Sequence, residues 1–249
     1  MNAMRLRRAV GWHRPDVLSV DCFDTLLLRG VESEEDRIRR LGFRIAASLE
    51  PRGIRVDPQA VASTRLAAAR AEYRAAAREG REARHDTILR LQCLALGLDP
   101  SFAGSAAPLV DAEIEQETCD LRPNLPLAKL LREVRRRGTR VIVVSDMYLP
   151  ATAILRLLGN AGVAGDVDRV YSSSDHGATK RAGELFDVVV KAEGVRADRM
   201  LHAGDCRLGD LEAPRRRGIA AVRLPRHHLT LARSMRRAGN LIVGEPAHV

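Results

Sequence analysis

An aspartate in this chain stands where a nucleophile is expected. Asp21 directly follows the apolar run 17–20, which predicts a carboxylate at the end of a short buried strand. Three further polar residues, Ser145, Lys180 and Asp205, come at or beyond the ends of later strand-like runs. In open α/β sheets, ligands bind beside the carboxyl ends of the strands. We therefore expect these four side chains to share one site, in which the Asp21 carboxylate attacks a substrate.

The motifs around these residues resemble those of the haloacid dehalogenase-like (HAD) hydrolase superfamily. They are VDCFDTLLLR around Asp21, SDMYLP from Ser145, GATKRAGELF around Lys180, and HAGDCRLGD, which contains Asp205 and Asp210. Most members of this superfamily are Mg²⁺-dependent phosphatases or phosphotransferases. The strings more narrowly resemble a bacterial subgroup of predicted hydrolases found with surface-polysaccharide glycosyltransferases. The resemblance thus implies a small phosphorylated substrate, such as a sugar phosphate, and a partner in a glycosyltransferase pathway.

The resemblance also implies a covalent intermediate and a metal ion. Asp21 would attack phosphorus and become an aspartyl-phosphate, which divides a difficult displacement into two steps. Mg²⁺ would be held by the carboxylates of Asp21 and Asp205 and by the backbone carbonyl of Phe23. Asp210 would be an additional ligand or an anchor for the others. Carboxylate and carbonyl oxygens, with water and substrate phosphate, are the ligands that Mg²⁺ prefers.

Further residues are expected to bind the phosphate group. By the same resemblance, the Ser145 hydroxyl and the backbone N–H of Asp146 would donate hydrogen bonds to phosphate oxygens. Lys180 would neutralise charge on the nucleophile and on the phosphoryl group, whose dispersed charge in the transition state such clamps stabilise. Thr25 and Arg29, which follow the nucleophile, are expected to contact the substrate as well.

Phe23 departs from the usual pattern of the superfamily. Its phosphatases carry a second aspartate two residues after the nucleophile, which protonates the leaving oxygen and then activates water, and here that position is Phe23. Asp24 is a candidate catalytic residue through an altered turn, and His202 or a residue of a helical cap are the alternatives. General acid–base catalysis is typically worth about 10²- to 10⁴-fold. Without a substitute, hydrolysis of ordinary monoesters should be slow and an aspartyl-phosphate should persist.

Two functions are compatible with these motifs. The first is a Mg²⁺-dependent hydrolase or phosphotransferase. Dehalogenases of the superfamily also lack the second aspartate, but they generally lack the metal-binding Gly-Asp element that this chain keeps at Gly204 and Asp205. The second function is a catalytically weak module of the same fold that binds phosphate or a partner protein in polysaccharide assembly. Phe23 favours the second function, and the retained acidic residues favour the first.

The elements that must position these residues alternate between strand and helix. Strands are predicted over residues 16–20, 139–144, 167–172, 200–204 and 219–224, and the core helices over residues 127–134, 151–158, 180–192 and 211–217. Alternation of this kind predicts an α/β fold with a doubly wound parallel sheet.

An insertion interrupts this pattern between the first strand and the second motif. Its sequence is almost entirely helix-forming, and the Ala- and Arg-rich stretch Pro58 to Glu79 is followed by Gly80, a natural helix end. We expect residues 14–28 and 120–228 to form the core, residues 29–119 an inserted helical cap, and residues 229–249 a C-terminal helical tail. A helical subdomain without a gating role is the alternative to the cap.

Composition excludes some classes of protein. The net charge is +9, but the chain is generally rich in arginine and alanine, and only 3% of its residues are aromatic. Such a chain offers little for stacking on bases, which argues against nucleic-acid binding. No apolar run approaches the roughly 20 residues that span a bilayer, so we expect a cytoplasmic protein that does not bind membranes.

Overall fold

The computed structural model describes residues 2–104 and 108–225, and a five-stranded parallel sheet lies at its centre. The strands of the chain are β1 (Val17–Val20), β2 (Leu27–Arg29), β3 (Leu121–Pro123), β4 (Arg140–Ser145), β5 (Arg169–Ser172), β6 (Met200–Gly204) and β7 (Ala220–Arg223). The order in the central sheet is β5-β4-β1-β6-β7, and β2 pairs separately with β3 in an antiparallel ladder.

The central strand β1 is buried on both faces, as its short apolar sequence predicts. Its register pairs Leu18 with Val141 of β4 on one side and with Leu201 of β6 on the other. Helices cover the sheet, and their apolar residues complete the core. The α/β fold with a doubly wound parallel sheet is therefore confirmed.

Ten α-helices are present in the described residues. They are α1 (Asn2–His13), α2 (Glu34–Leu49), α3 (Pro58–Glu79), α4 (His85–Leu96), α5 (Pro108–Asp120), α6 (Leu125–Arg136), α7 (Ala151–Asn160), α8 (Ser173–His176), α9 (Glu184–Glu193) and α10 (Ala213–Arg216). Among residues 2–104 and 108–225, none is both long enough and apolar enough to cross a membrane.

The insertion between β2 and β3 consists of helices α2 to α5, which confirms the inserted helical cap. Helix α3 has the predicted bounds because its ends are capped: the Asp57 side chain accepts backbone N–H groups of the first turn, and Gly80 adopts a positive φ of 68°. Helices α2 and α3 pack closely at Gly42, where a Cβ atom would collide with the backbone of Pro58. The boundaries at residues 29 and 119 stay a prediction.

Three local predictions differ from the structure. The helix expected from Lys180 begins at Glu184, because Gly183 with a φ of 93° separates it from the preceding loop. Residues Leu208–Glu212 form a π-helical turn before α10, where a single helix was expected over residues 211–217. Helix α1 was not predicted. The predicted tail over residues 229–249 lies outside the described residues.

Candidate active site

The candidate site lies at the carboxyl edge of the central sheet, where three neighbouring strands end side by side. Asp21 follows β1, Ser145 ends β4 and Asp205 follows β6, and β1 lies between the other two strands. The backbone N–H of Asp21 donates to the carbonyl of Ala203 at 2.8 Å, so the strand ladder extends to the candidate nucleophile. Ser145 is almost fully buried at this edge. The structure thus brings together residues that lie far apart in sequence.

Lys180 supplies a buried positive charge at this edge. Its ammonium group donates one hydrogen bond of 2.6 Å to Oδ1 of Asp21 and another of 2.6 Å to Oδ1 of Asp210. Lys180 lies in the loop between α8 and α9. The Asp146 carboxylate accepts the backbone N–H groups of Lys180 at 2.5 Å and Arg181 at 3.3 Å. Asp146 therefore fixes this loop so that the lysine points at Asp21.

Asp210 is surrounded by hydrogen-bond donors. Besides Lys180, its Oδ1 atom lies 3.1 Å from Nε2 of His202, and its Oδ2 atom accepts the backbone N–H of Cys206 at 2.9 Å. Gly204 makes room for this carboxyl group, since a Cβ atom at that position would overlap it. Of the two roles expected for Asp210, this arrangement favours the anchor of Lys180 over the direct metal ligand.

His202 lies beneath the site with no exposed surface. Its Nδ1 atom pairs with the hydroxyl of Ser19, its Nε2 atom with Asp210, and its ring packs edge-to-face on Phe186 at a centroid distance of 4.9 Å. Burial lowers the pKa of His202, although the charge of Asp210 opposes this effect. With both ring nitrogens engaged inside the protein, the histidine has no route to a substrate.

Carboxylates outnumber cations at the site. Burial raises the pKa of Asp21 to about 7, although the nearby Lys180 ammonium opposes this effect. Burial also raises the pKa of Asp205 to about 6, and the charges of Asp210 and Asp24 add to the increase. The pKa of Lys180 is raised: its burial lowers the pKa, but the negative charges of Asp21 and Asp210 together raise it by more. The site therefore carries excess negative charge.

The same carboxylates could hold a divalent cation. Asp21, Asp205 and Asp210 each offer an oxygen atom, and these oxygens lie within 4.8 Å of one another. An oxygen donor set with excess negative charge fits Mg²⁺. Because the Asp210 carboxylate already accepts three hydrogen bonds, Asp21 and Asp205 are the residues that would contact the ion directly.

Phe23 and Arg29 form a pair at the mouth of the site. The Arg29 guanidinium lies 4.5 Å from the centroid of the Phe23 ring and donates a hydrogen bond of 2.5 Å to Glu117 of α5. This cation–π contact holds the ring against the base of the insertion. Arg29 lines the same cavity as Phe23, as expected of a residue that contacts substrate.

The two residues after Phe23 are not part of the cavity lining. Asp24 has a positive φ of 61°, and its carboxylate accepts the backbone N–H of Arg29 at 3.3 Å. Thr25 is 2% exposed, and among the described residues its hydroxyl has no hydrogen-bond partner. The charge of Asp24 also acts on Asp205, and the roles expected for Asp24 and Thr25 stay predictions.

A cavity of about 560 Å³ lies between this edge of the sheet and the helical insertion. Its lining includes Phe23, Arg29, Arg37, Tyr73, Glu82, Asp146, Tyr148 and Arg181. A second cavity, of about 650 Å³, surrounds Arg132 and Arg140 near the opposite end of β4, and it contains none of the candidate catalytic residues. The smaller cavity adjoins the candidate site, because Phe23, Arg29 and Asp146 line it, although Asp21 and Lys180 themselves do not.

A buried cluster that the sequence did not reveal joins the insertion to the core. Glu113 of α5 accepts hydrogen bonds from Arg65 at 2.6 Å and from the hydroxyl of Tyr148 at 2.8 Å, and it lies 2.9 Å from Nε2 of His85. Although burial alone would raise the pKa of Glu113, the charges of Arg65 and His85 hold it well below its usual range. Tyr148 belongs to the loop after β4, so the cluster ties the catalytic loop to three cap helices.

A signal for this cluster exists in the sequence. Arg65 follows Val61 by four residues, and Glu113 follows Leu109 by four, so both charged residues stand on apolar helix faces. A charge on such a face needs a buried partner. The pairing itself depends on how α3 and α5 pack.

Comparison with known proteins agrees with this architecture. The family model described as haloacid dehalogenase-like hydrolase matches residues 15–218. A solved 2-haloacid dehalogenase from Pseudomonas syringae pv. Tomato DC3000 is 16% identical, with a TM-score of 0.53 over 82% of this chain and 83% of that chain. A dehalogenase solved with an intermediate complex is 15% identical, with a TM-score of 0.51 over 85% of each chain.

A third solved structure, the magnesium-bound HAD-hydrolase YfnB from Bacillus subtilis, is 18% identical, with a TM-score of 0.49 over 82% of this chain and 86% of that chain. No curated protein matches the chain in sequence. At these identities the two dehalogenase structures, with TM-scores of 0.53 and 0.51, establish a shared fold, and the chemistry has to be argued from the site itself.

Proposed function

Because the chain belongs to the haloacid dehalogenase-like hydrolase family, we propose that it is a Mg²⁺-dependent phosphatase or phosphotransferase acting on a small phosphorylated metabolite. The observation that carries this proposal is the arrangement around Asp21. A buried lysine ammonium lies 2.6 Å from its Oδ1 atom, and the carboxylates of Asp205 and Asp210 lie within 4.8 Å. Residues 29–119 serve as the cap over this site.

Asp21 is the nucleophile in this mechanism. One carboxylate oxygen attacks phosphorus, the bond from phosphorus to the leaving oxygen breaks, and an aspartyl-phosphate forms. Water then attacks the same phosphorus, which releases inorganic phosphate and restores the carboxylate. Transfer to an alcohol in place of water would give a phosphotransferase.

The neighbouring groups stabilise charge on the transferred phosphoryl group. Lys180, already directed at Asp21, neutralises the nucleophile and the phosphoryl oxygens, and the Ser145 hydroxyl and Asp146 N–H lie at the adjacent strand end to donate hydrogen bonds. When bound to Asp21, Asp205 and the Phe23 carbonyl, Mg²⁺ supplies further positive charge for these oxygens.

The charge of the site favours a phosphate ester over a haloacid. A haloacid dehalogenase must admit a substrate carboxylate beside its nucleophile. Here Asp205 and Asp210 surround Asp21 with excess negative charge, which would repel that carboxylate in the absence of a cation. A Mg²⁺ ion compensates this charge and at the same time binds phosphate.

The cavity supports a small, polar substrate. Its volume of about 560 Å³ accommodates a molecule of the size of a sugar phosphate. Positively and negatively charged side chains both line it, namely Arg37, Arg181, Glu34 and Glu82. Hydroxyl groups can hydrogen-bond to both kinds of side chain. A sugar phosphate is therefore our preferred substrate class.

A catalytically weak binding or assembly module in polysaccharide biosynthesis is the second candidate function. The presence of Phe23 in place of the expected acid favours it. The fully assembled contacts of Lys180 with Asp21 and Asp210 favour the enzyme, since a module that only binds phosphate has no need of an activated carboxylate.

A panel of substrates tests the proposal. Phosphate release would be measured from sugar phosphates, glycerol phosphate and p-nitrophenyl phosphate, with Mg²⁺ or with EDTA, and halide release from 2-chloropropionate. We expect Mg²⁺-dependent phosphate release that Asp21→Asn abolishes at an unchanged melting temperature. Asp16→Asn is the matched control, because Asp16 lies at the opposite end of β1 in an exposed pair with Arg199. Halide release without metal, or activity in Asp21→Asn, would contradict the proposal.

A further inference from the structure

Phe23 stands where the usual proton donor of the reaction would be, and the structure favours neither His202 nor Asp24 as its substitute. His202 is fully buried beneath Asp210 with both ring nitrogens engaged. Asp24 turns its carboxylate to the backbone N–H of Arg29 and does not line the cavity. A donor must reach the leaving oxygen, which points from the phosphate into the cavity. The remaining candidates are therefore the cavity carboxylates.

Most of these carboxylates are already paired with cations. Glu113 is held by Arg65 and lies beside His85, and Glu117 accepts from Arg29 at 2.5 Å and lies 3.7 Å from Arg37. Both carboxylates are thus already engaged in ion pairs within the cap. Glu34 lies in the first turn of α2 and is exposed, at the rim of the cavity.

Glu82 has a different setting. It lies in the connection between α3 and α4, is half-buried, and lines the cavity together with Phe23 and Asp146. Its Oε1 atom accepts the backbone N–H of Ala83 at 2.9 Å, and its Oε2 atom lies 3.4 Å from the hydroxyl of Ser173. Ser173 directly follows β5, so Glu82 reaches from the insertion to the carboxyl edge of the sheet.

The surroundings of Glu82 favour a protonated carboxyl group. Burial raises its pKa, and the charge of Asp146 adds to the increase, whereas the N–H of Ala83, the Ser173 hydroxyl and the more distant charge of Arg181 oppose it. Tyr73 of α3 faces the same side chain, and the burial that raises the pKa of the tyrosine keeps it neutral. A carboxyl group whose pKa is raised by its surroundings is suited to general acid catalysis.

Resting on the function proposed above, we propose that Glu82 of the cap is the general acid and base that replaces the aspartate missing at position 23. In the first step, Asp21 attacks phosphorus, the phosphorus–oxygen bond to the leaving group breaks, and the leaving oxygen takes the Glu82 proton. In the second step, the Glu82 carboxylate takes a proton from water as water attacks phosphorus. The bond from phosphorus to Asp21 then breaks, and both residues return to their starting states.

This role predicts a dependence on the leaving group. The variants are Glu82→Gln, Glu82→Asp and the control Glu79→Gln, which removes an exposed carboxylate three residues away that pairs with Arg81 and does not line the cavity. The probes are glycerol phosphate, whose leaving alkoxide needs a proton, and p-nitrophenyl phosphate, whose nitrophenolate does not. We expect Glu82→Gln to lower kcat/KM for glycerol phosphate by about 10²- to 10⁴-fold, with a much smaller loss for p-nitrophenyl phosphate.

The second step gives an independent signal. Without a base to activate water, the aspartyl-phosphate of Glu82→Gln should accumulate, seen as a burst of nitrophenolate and as a phosphorylated protein by mass spectrometry. Glu82→Asp keeps a carboxyl group and should show no such burst, and Glu79→Gln should match the wild type. Loss of the acidic side chain should also remove the fall of kcat/KM at high pH that its deprotonation causes in the wild type.

Other outcomes would overturn the assignment. Equal losses for both probes in Glu82→Gln, with no burst, would indicate a structural role, and wild-type rates would remove Glu82 from the reaction. In either case an inactive Asp21→Asn would leave the proposed function standing. Absence of Mg²⁺-dependent turnover in the wild type would overturn the function and this inference together. If Glu82→Gln does not fold, Glu82→Asp is the test variant. Loss of its activity on both glycerol phosphate and p-nitrophenyl phosphate would contradict the assignment.

Discussion

The Nζ atom of Lys180 lies 2.6 Å from Oδ1 of Asp21, although 159 positions separate the two residues in sequence. The same ammonium lies 2.6 Å from Oδ1 of Asp210, which anchors it from below. All three side chains are buried at the carboxyl edge of the sheet. A single cation thus compensates two carboxylates, and both catalysis and folding should depend on it.

Replacement of this lysine should therefore affect both properties. Lys180→Met leaves two buried carboxylates without their cation, and removal of one partner from a buried pair typically costs about 3–5 kcal/mol. We also expect kcat to fall by about 10²- to 10³-fold, the usual effect of losing one preorganised electrostatic group. Urea unfolding and phosphate release measure the two effects. Lys191→Met, on the exposed face of α9, is the control, and comparable behaviour of the two variants would contradict this role.

Removal of Asp205 should weaken metal binding. The oxygens of Asp21 and Asp205 lie close enough to share one ion, and the loss of a ligand should weaken Mg²⁺ binding by at least about tenfold. Isothermal titration calorimetry of wild type and Asp205→Asn with Mg²⁺ measures the difference, and the Mg²⁺-induced rise in melting temperature should shrink in parallel. Asp198→Asn, at an exposed pair with Arg196, should bind as the wild type does. Unchanged binding in Asp205→Asn would place the ion elsewhere.

The buried cluster around Glu113 predicts a stability that depends on pH. The charges of Arg65 and His85 hold the pKa of this carboxyl below its unfolded value, so its contribution is present above about pH 4.3 and is lost as the pH falls further. Glu113→Gln should lower the free energy of unfolding by about 3–5 kcal/mol at pH 7, because the charge of Arg65 is left buried without its partner.

Urea unfolding at pH 7 and at pH 3 checks this prediction. The difference in the free energy of unfolding between wild type and Glu113→Gln should be smaller at pH 3. Glu115→Gln is the neighbouring control, because Glu115 pairs with Arg44 on the surface, where an ion pair is worth about 0–1 kcal/mol. An equal difference in the free energy of unfolding at both pH values would show that the ionised carboxylate is not what stabilises the cluster.

Phe23→Asp tests whether position 23 can still hold the missing acid or base. The Arg29 guanidinium, 4.5 Å from the ring centroid, would keep a carboxylate at this position ionised, which suits it to activate water. In the wild type, where Glu82 acts, we expect little gain. In the Glu82→Gln background, Phe23→Asp should accelerate aspartyl-phosphate hydrolysis by up to about 10²-fold.

The decay of the isolated phosphoprotein, followed by phosphate release, measures this gain. Phe23→Ala in the same background removes the ring without adding a carboxylate and is the matched control. Equal decay in the two double variants would mean that position 23 is out of reach of the attacking water. A fast gain from Phe23→Asp in the otherwise wild-type chain would instead show that the aspartyl-phosphate persists because no residue replaces the acid.

The sequence by itself determined the strands of the sheet and placed the candidate residues at strand ends. Short apolar runs such as 17–20 and 141–144 are typical of parallel strands buried on both faces, so Asp21 and Ser145 were expected at strand ends. Local signals also fixed α3, whose capping Asp57 and terminal Gly80 lie within the same stretch of chain.

Only the tertiary structure decided which side chains act together. Asp205 and Asp210 look equivalent in sequence, but the donors around Asp210 come from Lys180 and His202, on other elements. Glu82 carries no sequence signal at all. The role proposed for it depends on packing, because the insertion lies against the sheet edge and places this carboxyl group in the same cavity as Phe23. Contacts between distant residues follow from the shape of the whole core, which no local pattern encodes.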